Sequence, residues 1–199
     1  MQIQLENIGK KFGKEWIFRG VDLTIVSGER LAITGSNGAG KSTLLRIMGS
    51  YMTPTEGKIL LDQKDLKHED DSQLSFNFAA PYYHLIEEYT LSELLSFHEK
   101  FKKPTSNIDE LVETSGLYKA RSKFVKDFSS GMKQRVKLIL ALGFDADVVL
   151  LDEPTTNLDR SGINWFKNLF DTQYEKRTLV IASNLAEEIA MCDDEFHIN

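Results

Sequence analysis

Residues 35 to 43 of the chain read Gly35-Ser36-Asn37-Gly38-Ala39-Gly40-Lys41-Ser42-Thr43. Gly35, Gly40, Lys41 and Ser42 meet the pattern G-x-x-x-x-G-K-[ST], which is typical of a phosphate-binding loop. Glycines let the backbone curl so that successive N–H groups point at phosphate oxygens, and a helix starting near Lys41 adds its positive end. The pattern predicts that Lys41 reaches the β- and γ-phosphates and that the Ser42 hydroxyl ligates Mg²⁺. The alternative is a structural glycine turn.

The sequence on both sides of this loop has the pattern of a parallel α/β sheet. A compact apolar run within residues 30–34 stops at the first glycine, and residues 42–48 have helical spacing. Residues 148–151 and 178–182 are continuous apolar runs, as in strands buried on both faces, and an amphipathic stretch, 161–173, lies between them. Strands that alternate with helices imply right-handed crossovers and a mostly parallel sheet. The predicted fold is therefore an α/β sheet of P-loop type.

The N-terminal region has a different pattern. Residues 1–5 and 21–25 alternate between apolar and polar, which indicates an antiparallel β portion, and Gly13 and Gly20 mark a turn region between them. Further along, Asp62-Gln63-Lys64-Asp65 reads as a turn. The polar run that follows it, residues 67 to 73, is expected to be exposed.

From about residue 81 the character becomes helical. Thr90-x-x-Glu93 is a capping box, Ser106 opens a second helix that ends near Gly116, and Ser129 can cap a third. These signals predict a helical lobe inserted into one domain. The chain, residues 1–199, is then divided into a catalytic core, 1–80 and 146–199, and a helical lobe, 81–145.

Composition and charge restrict the class of protein. The chain of 199 residues carries a net charge of -6, so it lacks the basic footprint of nucleic-acid binding, and no nucleic-acid partner is expected. The one cysteine, Cys192, excludes an internal disulfide and is expected to be a small apolar filler. No signal peptide is visible, and no stretch approaches the ~18 apolar residues that cross a bilayer. We expect a cytoplasmic protein whose membrane spans, if it needs any, belong to a partner.

An acidic pair ends the apolar run at residues 148–151. A phosphate-binding loop needs an acidic partner on a neighbouring strand to hold magnesium, and Asp152 is positioned for that role. Glu153 comes next and would point differently, so it can act as the general base for the attacking water. The alternative is an ordinary acidic pair at the end of a strand.

In order and spacing these motifs resemble the nucleotide-binding subunits of ABC transporters, over essentially the whole chain. Phe128-Ser129-Ser130-Gly131-Met132 resembles the family's signature, usually Leu-Ser-Gly-Gly-Gln, with departures at Ser130 and Met132. The resemblance implies that Ser129 and Gly131 grip the γ-phosphate of ATP bound to the opposite subunit. It also makes Asp159 the acid of the family's D-loop, across the dimer interface. The alternative for Asp159 is a helix cap.

Three further positions are assigned by the same resemblance. Phe12 falls where the family places an aromatic ring that stacks on adenine, with core packing as its alternative. Ala79 stands where the family has a glutamine, and alanine cannot ligate magnesium. Asn184 stands where the family has a histidine that contacts the γ-phosphate, and its amide can donate a hydrogen bond but has no proton to exchange near neutral pH. Slow hydrolysis with intact nucleotide binding is expected.

The function implied by the resemblance is ATP binding and hydrolysis, with ATP and Mg²⁺ as cofactors, at the cytoplasmic face of the membrane. Two such subunits would dimerise head to tail and power a separate transmembrane subunit. The helical lobe and the Ala79–Tyr89 region, with Tyr82, Tyr83, Leu85 and Ile86, would form the docking surface, although core packing explains these side chains equally well. Gly35 and its neighbours are also similar to the ATPase subunit of haem exporters of cytochrome c maturation.

Two alternatives remain. The first is a soluble ABC ATPase of DNA repair or chromosome maintenance, but such proteins carry long coiled coils, and the interval between Lys41 and Ser129 has no sustained heptads. The second is a catalytically weak, nucleotide-gated subunit of a heterodimer. Changes at Ala79, Ser130 and Asn184 favour this second alternative, whereas the retention of Glu153 argues against it.

Overall fold

The computed structural model describes residues 2–62, 64–65, 74–172 and 177–199. The polar run 67–73, predicted to be exposed, lies outside them. The strands are β1 (Gln2–Phe12), β2 (Glu15–Val26), β3 (Arg30–Thr34), β4 (Glu56–Leu61), β5 (Lys64–Asp65), β6 (Phe76–Ala79), β7 (Val148–Asp152), β8 (Thr178–Ala182) and β9 (Asp194–His197). The helices are α1 (Lys41–Met48), α2 (Leu91–Glu99), α3 (Ile108–Thr114), α4 (Ser130–Leu142), α5 (Arg160–Thr172) and α6 (Ala186–Ile189).

A parallel sheet with the strand order β6-β7-β8-β3-β9 forms the centre of the fold. Every residue of β7 and β8 is buried, as their continuous apolar runs predict for strands covered on both faces. The register pairs Asp152 with Ala182 and Ala182 with Ile33. The carboxyl ends of β7, β8 and β3 therefore meet at one edge of the sheet, where ligands bind in α/β folds. The predicted α/β class is confirmed.

The antiparallel portion is a separate sheet with the order β2-β1-β4-β5. It corrects two predictions. Gly20 does not end a strand, because β2 runs through it with a positive φ of 66° and an irregular register against β1. Lys64 and Asp65 are not a turn, because they pair with Leu61 and Leu60 as the short strand β5.

Helices α2, α3 and α4 lie between the two halves of the parallel sheet in the sequence. Thr90 accepts from the Glu93 N–H and Glu93 accepts from Thr90, so the predicted capping box is confirmed. Ser129 caps α4 as predicted, by accepting from the Met132 N–H. The cap of α3 is Asn107 and not Ser106, because the Asn107 side chain accepts from two first-turn N–H groups. Apolar residues of this region form a hydrophobic cluster of their own, although the division into core and lobe stays a prediction.

Two smaller expectations concern the membrane and the cysteine. Among the described residues, no helix has the length and apolar character to span a bilayer.

Cys192 follows α6 and packs, partly buried, against the apolar cluster that includes Leu179 and Ile181. Burial is the main cause that raises the pKa of its thiol to about 12. The thiol is therefore a packing group at neutral pH, as predicted.

Candidate functional site

The glycine loop connects β3 to α1 and needs glycine for two different reasons. At Gly35, φ is 148° and a Cβ atom would lie 2.5 Å from the carbonyl oxygen of Ile198. At Gly40, φ is 100° and a Cβ atom would lie 2.6 Å from the side chains of Ile17 and Phe18. The backbone conformation and the close approach of β2 and of Ile198, the residue after β9, both require the missing side chain. The loop is therefore held in its curled form by the two sheets on either side of it.

Positive groups converge inside this loop. Lys41 is 8% exposed, and its Nζ donates to the carbonyl oxygens of Gly35 at 2.8 Å and Ser36 at 3.2 Å. An ammonium has three N–H groups, so one can serve an anion held between the loop and the lysine. The N-cap of α1, Gly40, makes no side-chain hydrogen bond to the first turn, and that turn has no acidic residue. The first N–H groups of α1 and its positive end therefore face the loop.

Asp152 lies at the end of β7, 2% exposed, beside the start of α1. Its carboxylate accepts from the phenol of Tyr82 at 2.8 Å, and the side chain of Ser42 lies close enough to favour its charged form. Burial, the largest cause, raises the pKa of Asp152, while the hydrogen bonds from Ser42 and Tyr82 oppose that rise. Burial and the nearby Asp152 raise the pKa of Tyr82, so its phenol remains a donor.

The donor set suits a hard cation. Ser42 and Asp152 supply a hydroxyl oxygen and a carboxylate oxygen at contact distance, which are ligands that Mg²⁺ prefers. Within the described part of the chain, no group of three or more His, Cys, Asp and Glu side chains could hold a metal by itself. A cation at this place would take further ligands from phosphates and water, which is the usual arrangement for magnesium in nucleotide sites.

Glu153 follows directly and points away from the buried strand. Its φ is 45°, an uncommon value for a residue other than glycine, and its side chain is exposed. The Thr156 hydroxyl donates to Glu153 Oε2 at 3.2 Å, and the Glu153 N–H donates to the Ala182 carbonyl at 2.9 Å. Strained backbone of this kind clusters at functional sites. The geometry places an exposed carboxylate next to the buried one, and its role as general base stays a prediction.

The two departures from the family pattern have different environments. Asn184 reaches the glycine loop: its Nδ2 donates to Asn37 Oδ1 at 3.2 Å, and its Oδ1 accepts from the Gly35 N–H at 3.4 Å. Ala79 is the last residue of β6, pairs with Leu151 and is 1% exposed. A methyl group buried in the sheet makes no polar contact. Asn184 therefore joins the site, and Ala79 does not.

The signature residues lie at the start of α4. Ser129 and Ser130 are exposed, and a Cβ atom on Gly131 would lie 2.8 Å from the carbonyl oxygen of Asn157. The signature turn therefore packs against the loop that contains Asp159. The Asp159 carboxylate accepts from the Gly162 N–H at 2.8 Å, so this residue caps α5 as its alternative role predicts. That hydrogen bond is the first cause of the lowered pKa of Asp159.

Phe12 lies at the tip of the hairpin between β1 and β2. Its ring is 49% exposed, and Lys10 Nζ lies 5.3 Å from the ring centroid. Core packing, the alternative considered for this residue, is therefore wrong. Whether the ring stacks on a base stays a prediction.

Comparison with known proteins identifies this arrangement. The family described as ABC transporter matches residues 18–156. The lantibiotic transport ATP-binding protein SrtF of Streptococcus pyogenes is 30% identical over 195 residues, which cover 94% of this chain and 82% of SrtF. The chain belongs to the ABC transporter family. The lipoprotein-releasing system ATP-binding protein LolD of Shewanella frigidimarina is 39% identical over 156 residues, which cover 73% of this chain and 65% of LolD.

Other relatives extend the comparison. The sulfate/thiosulfate import ATP-binding protein CysA of Thermosynechococcus vestitus is 34% identical over 183 residues, and the chain spans only 54% of its length. The structure described as a dimeric post-hydrolysis state of the ATP-binding cassette MJ0796, bound to ADP and Pi, has a TM-score of 0.84 at 25% identity. It covers 99% of this chain, which covers 94% of it. The predicted family, its fold and its ATP-binding, ATP-hydrolysing role in transport are confirmed.

Sequence reasoning missed several residues of this ABC cassette. Tyr82 was considered only for docking or packing, yet it bonds to Asp152. Glu188 is 1% exposed and accepts from both the N–H and the hydroxyl of Thr155. Gln134 is also buried, and its Nε2 donates to the Pro154 carbonyl at 2.8 Å. No local sequence signal marks Glu188 in α6 or Gln134 in α4, because a hydrophilic residue in a helix is expected to be exposed.

Residues 80–89 connect β6 to α2, and we name them the linking segment. Lys137 Nζ, from α4, donates to the carbonyl oxygens of Ala80 at 3.0 Å and Pro81 at 2.6 Å. Lys133, one turn earlier in α4, pairs with Glu87. Beside the segment lies a cavity of ≈ 320 Å³ between β6, α2 and α4. Tyr82 and Ile86 are 38% and 37% exposed, whereas Tyr83 packs edge-to-face on Phe78.

Proposed function

We propose that this cassette binds ATP with Mg²⁺ in the glycine loop, pairs head to tail with a second cassette, and drives transport through a separate transmembrane subunit. The observation that carries the proposal is the convergence of Lys41, Ser42, Asp152 and Glu153 at one edge of the sheet. In that place the chain would work at the cytoplasmic face of a membrane.

Each side chain has a task in phosphoryl transfer, which depends on positioning and on charge. The loop from Gly35 to Thr43 would cradle the phosphates, and Lys41 would neutralise the β- and γ-oxygens. Ser42 and Asp152 would hold the magnesium ion, which neutralises charge that develops on the phosphate oxygens. Glu153, exposed next to Asp152, would accept a proton from the attacking water. Phe12 would stack on adenine.

The dimer is supported by residues that lie exposed at the starts of α4 and α5. Ser129 at the start of α4 is exposed, and the Asp159 side chain is 68% exposed. Both belong to loops that pack on each other around Gly131. In a head-to-tail pair, these loops of one copy would close over the phosphate of ATP in the other. The dimeric relative described above favours that arrangement.

The docking surface for the transmembrane subunit is proposed at the linking segment and the adjoining cavity. Tyr82 and Ile86 present apolar surface to solvent there, and the cavity lies between the sheet and the helical region. Tyr83 and Leu85 contribute to packing instead, against Phe78 and the helical cluster respectively. The transported molecule is not specified by these contacts, and the similarity to haem-exporter subunits stays a prediction.

The test is steady-state ATP hydrolysis by the purified chain beside Glu153→Gln and Lys41→Ala, with ATP binding measured in parallel. Loss of the general base is expected to lower turnover at least about 100-fold while ATP still binds. Loss of the lysine is expected to weaken binding about 100-fold, because charge-assisted contacts to phosphate disappear. Lys119→Ala, an exposed lysine of the turn before α4, is the matched control and should match wild type.

A second candidate function is a slow, nucleotide-gated half of a heterodimer. The observation that favours it is the burial of Ala79, which leaves no polar side chain from β6 at the site. Tight ATP binding by wild type, with turnover no higher than that of Glu153→Gln, would favour this candidate over the active motor. Turnover that both variants abolish would exclude it.

A further inference from the structure

The carboxylate of Asp152 is contacted from the linking segment. Tyr82 donates its phenol O–H to Asp152 Oδ2 at 2.8 Å. Ser42, the second residue of α1, lies near the same carboxylate. An aspartate side chain can rotate about both of its torsions, so the hydrogen bond from Tyr82 restrains the orientation of the carboxylate.

Tyr82 is itself held in place by α1. Arg46 Nε lies 3.3 Å from the phenol oxygen, and the Arg46 guanidinium lies 4.3 Å from the ring centroid. Arg46 is four residues after Ser42, so both project from one face of α1. The guanidinium over the ring restrains the ring's orientation, and the hydroxyl therefore stays directed at Asp152.

The backbone of Tyr82 is anchored at another place. Lys137 donates to the carbonyls of Ala80 and Pro81, immediately before Tyr82. Lys137 belongs to α4, the helix that Ser129 caps. The linking segment thus contacts the magnesium-binding acid through one side chain and α4 through its backbone. Ala79, at the end of β6, cannot make the polar contact because its side chain is a buried methyl group.

We propose that Tyr82 is a positioning residue for magnesium binding: its phenol orients the Asp152 carboxylate. This inference rests on the proposed function. If the Ser42 hydroxyl turned toward a bound cation, Asp152 would keep the hydrogen bond from Tyr82.

The experiment compares Tyr82→Phe with Tyr83→Phe. Both remove one phenol oxygen and keep the ring, but Tyr83 packs on Phe78 and Tyr51 beside the cavity. The dissociation constant of ATP is measured with Mg²⁺ and with EDTA, and the ratio of the two is the readout. Tyr82→Phe is expected to reduce the tightening by Mg²⁺ about fivefold, because a hydrogen bond to a charged group is lost. Binding in EDTA should stay at the wild-type value.

Hydrolysis supplies a second readout on the same proteins. In Tyr82→Phe the Mg²⁺ concentration for half-maximal rate is expected to rise about fivefold, and saturating Mg²⁺ should restore the maximal rate. Tyr83→Phe should be unchanged in both respects.

Three results would overturn the inference. The first is a Tyr82→Phe protein whose binding ratio and Mg²⁺ dependence equal those of Tyr83→Phe. The second is equal weakening with Mg²⁺ and with EDTA, which would show a general packing role. The third is a wild-type chain that binds no ATP under either condition, and only this result would also refute the proposed function.

Discussion

The glycine loop and the linking segment approach the same carboxylate by different physical means. The loop is shaped by backbone conformation, with glycines where β2 and Ile198 leave no room for a Cβ atom. The linking segment is held by long side chains from elsewhere: Lys137 binds its carbonyls, and Arg46 stacks on its Tyr82. A loop whose shape is set by its backbone conformation is expected to be rigid. A segment held by removable side-chain contacts can change position when a partner binds.

This difference bears on how an ABC cassette could link a partner to its nucleotide. The loop must present the same N–H groups in every cycle, so its conformation should not depend on distant side chains. The linking segment has the opposite requirement, because it lies next to the surface proposed for docking and also reaches Asp152. The three predictions below test this contrast, from the largest expected effect to the smallest.

The first prediction compares two glycines of the loop. Gly40→Ala is expected to lower the free energy of unfolding by about 3 kcal/mol, since it combines a strained φ of 100° with a Cβ atom 2.6 Å from Ile17 and Phe18. Gly38→Ala, with a φ of 88° and open space around the added methyl group, should cost only about 1 kcal/mol. Urea unfolding of both variants measures the difference. Equal losses would mean that close packing by β2 does not shape the loop.

The sequence predicted the contacts of the glycine loop much better than those of the linking segment. The glycines, Lys41 and Ser42 are neighbours in the chain, so a local pattern specifies how they meet. Tyr82 and Asp152 are 70 positions apart, and no local rule joins a tyrosine to a particular acid at that distance. The cap of α3 shows a smaller limit of sequence-based prediction, since the cap is Asn107 and not the predicted Ser106. Both residue types can cap a helix, and only the backbone geometry selects between them.

Most of the site contacts that the sequence did not predict are tertiary hydrogen bonds. Glu188 and Gln134 have hydrophilic side chains in short or amphipathic helices, where an exposed position is the default expectation. Their burial depends on where Thr155 and Pro154 lie after folding. The parallel sheet needed no such knowledge, since apolar runs of four or five residues already specify buried strands.

The second prediction concerns the linking segment. Lys137→Met keeps the apolar stem and removes the two hydrogen bonds to Ala80 and Pro81. We expect a loss of about 1–2 kcal/mol in the free energy of unfolding, discounted for partial exposure, because two carbonyls lose a charged donor. Hydrogen exchange should accelerate most in residues 80–89. Lys133→Met, which removes only the pair with Glu87, is the matched control with the smaller effect. Exchange that stays unchanged in Lys137→Met would show that side chains do not hold the segment.

The third prediction returns to the loop, at Asn184, a distant residue whose side chain forms hydrogen bonds with it. Asn184 makes hydrogen bonds of 3.2 Å and 3.4 Å to Asn37 and Gly35 from an exposed position. Asn184→Ala is therefore expected to slow ATP hydrolysis only about two- to fivefold, the value of one modest hydrogen bond. Asn184→His should hydrolyse at least as fast as wild type, because an imidazole N–H can donate to phosphate from the same place. Steady-state rates at saturating ATP and Mg²⁺ measure both variants.

A wild-type rate in Asn184→Ala would show that the loop works from its backbone and Lys41 alone. The loop would then differ fully from the linking segment, which is held by distant side chains. A loss as large as that expected for Glu153→Gln would instead place Asn184 among the groups that carry the reaction, and the loop would then depend on a distant side chain as much as the linking segment does.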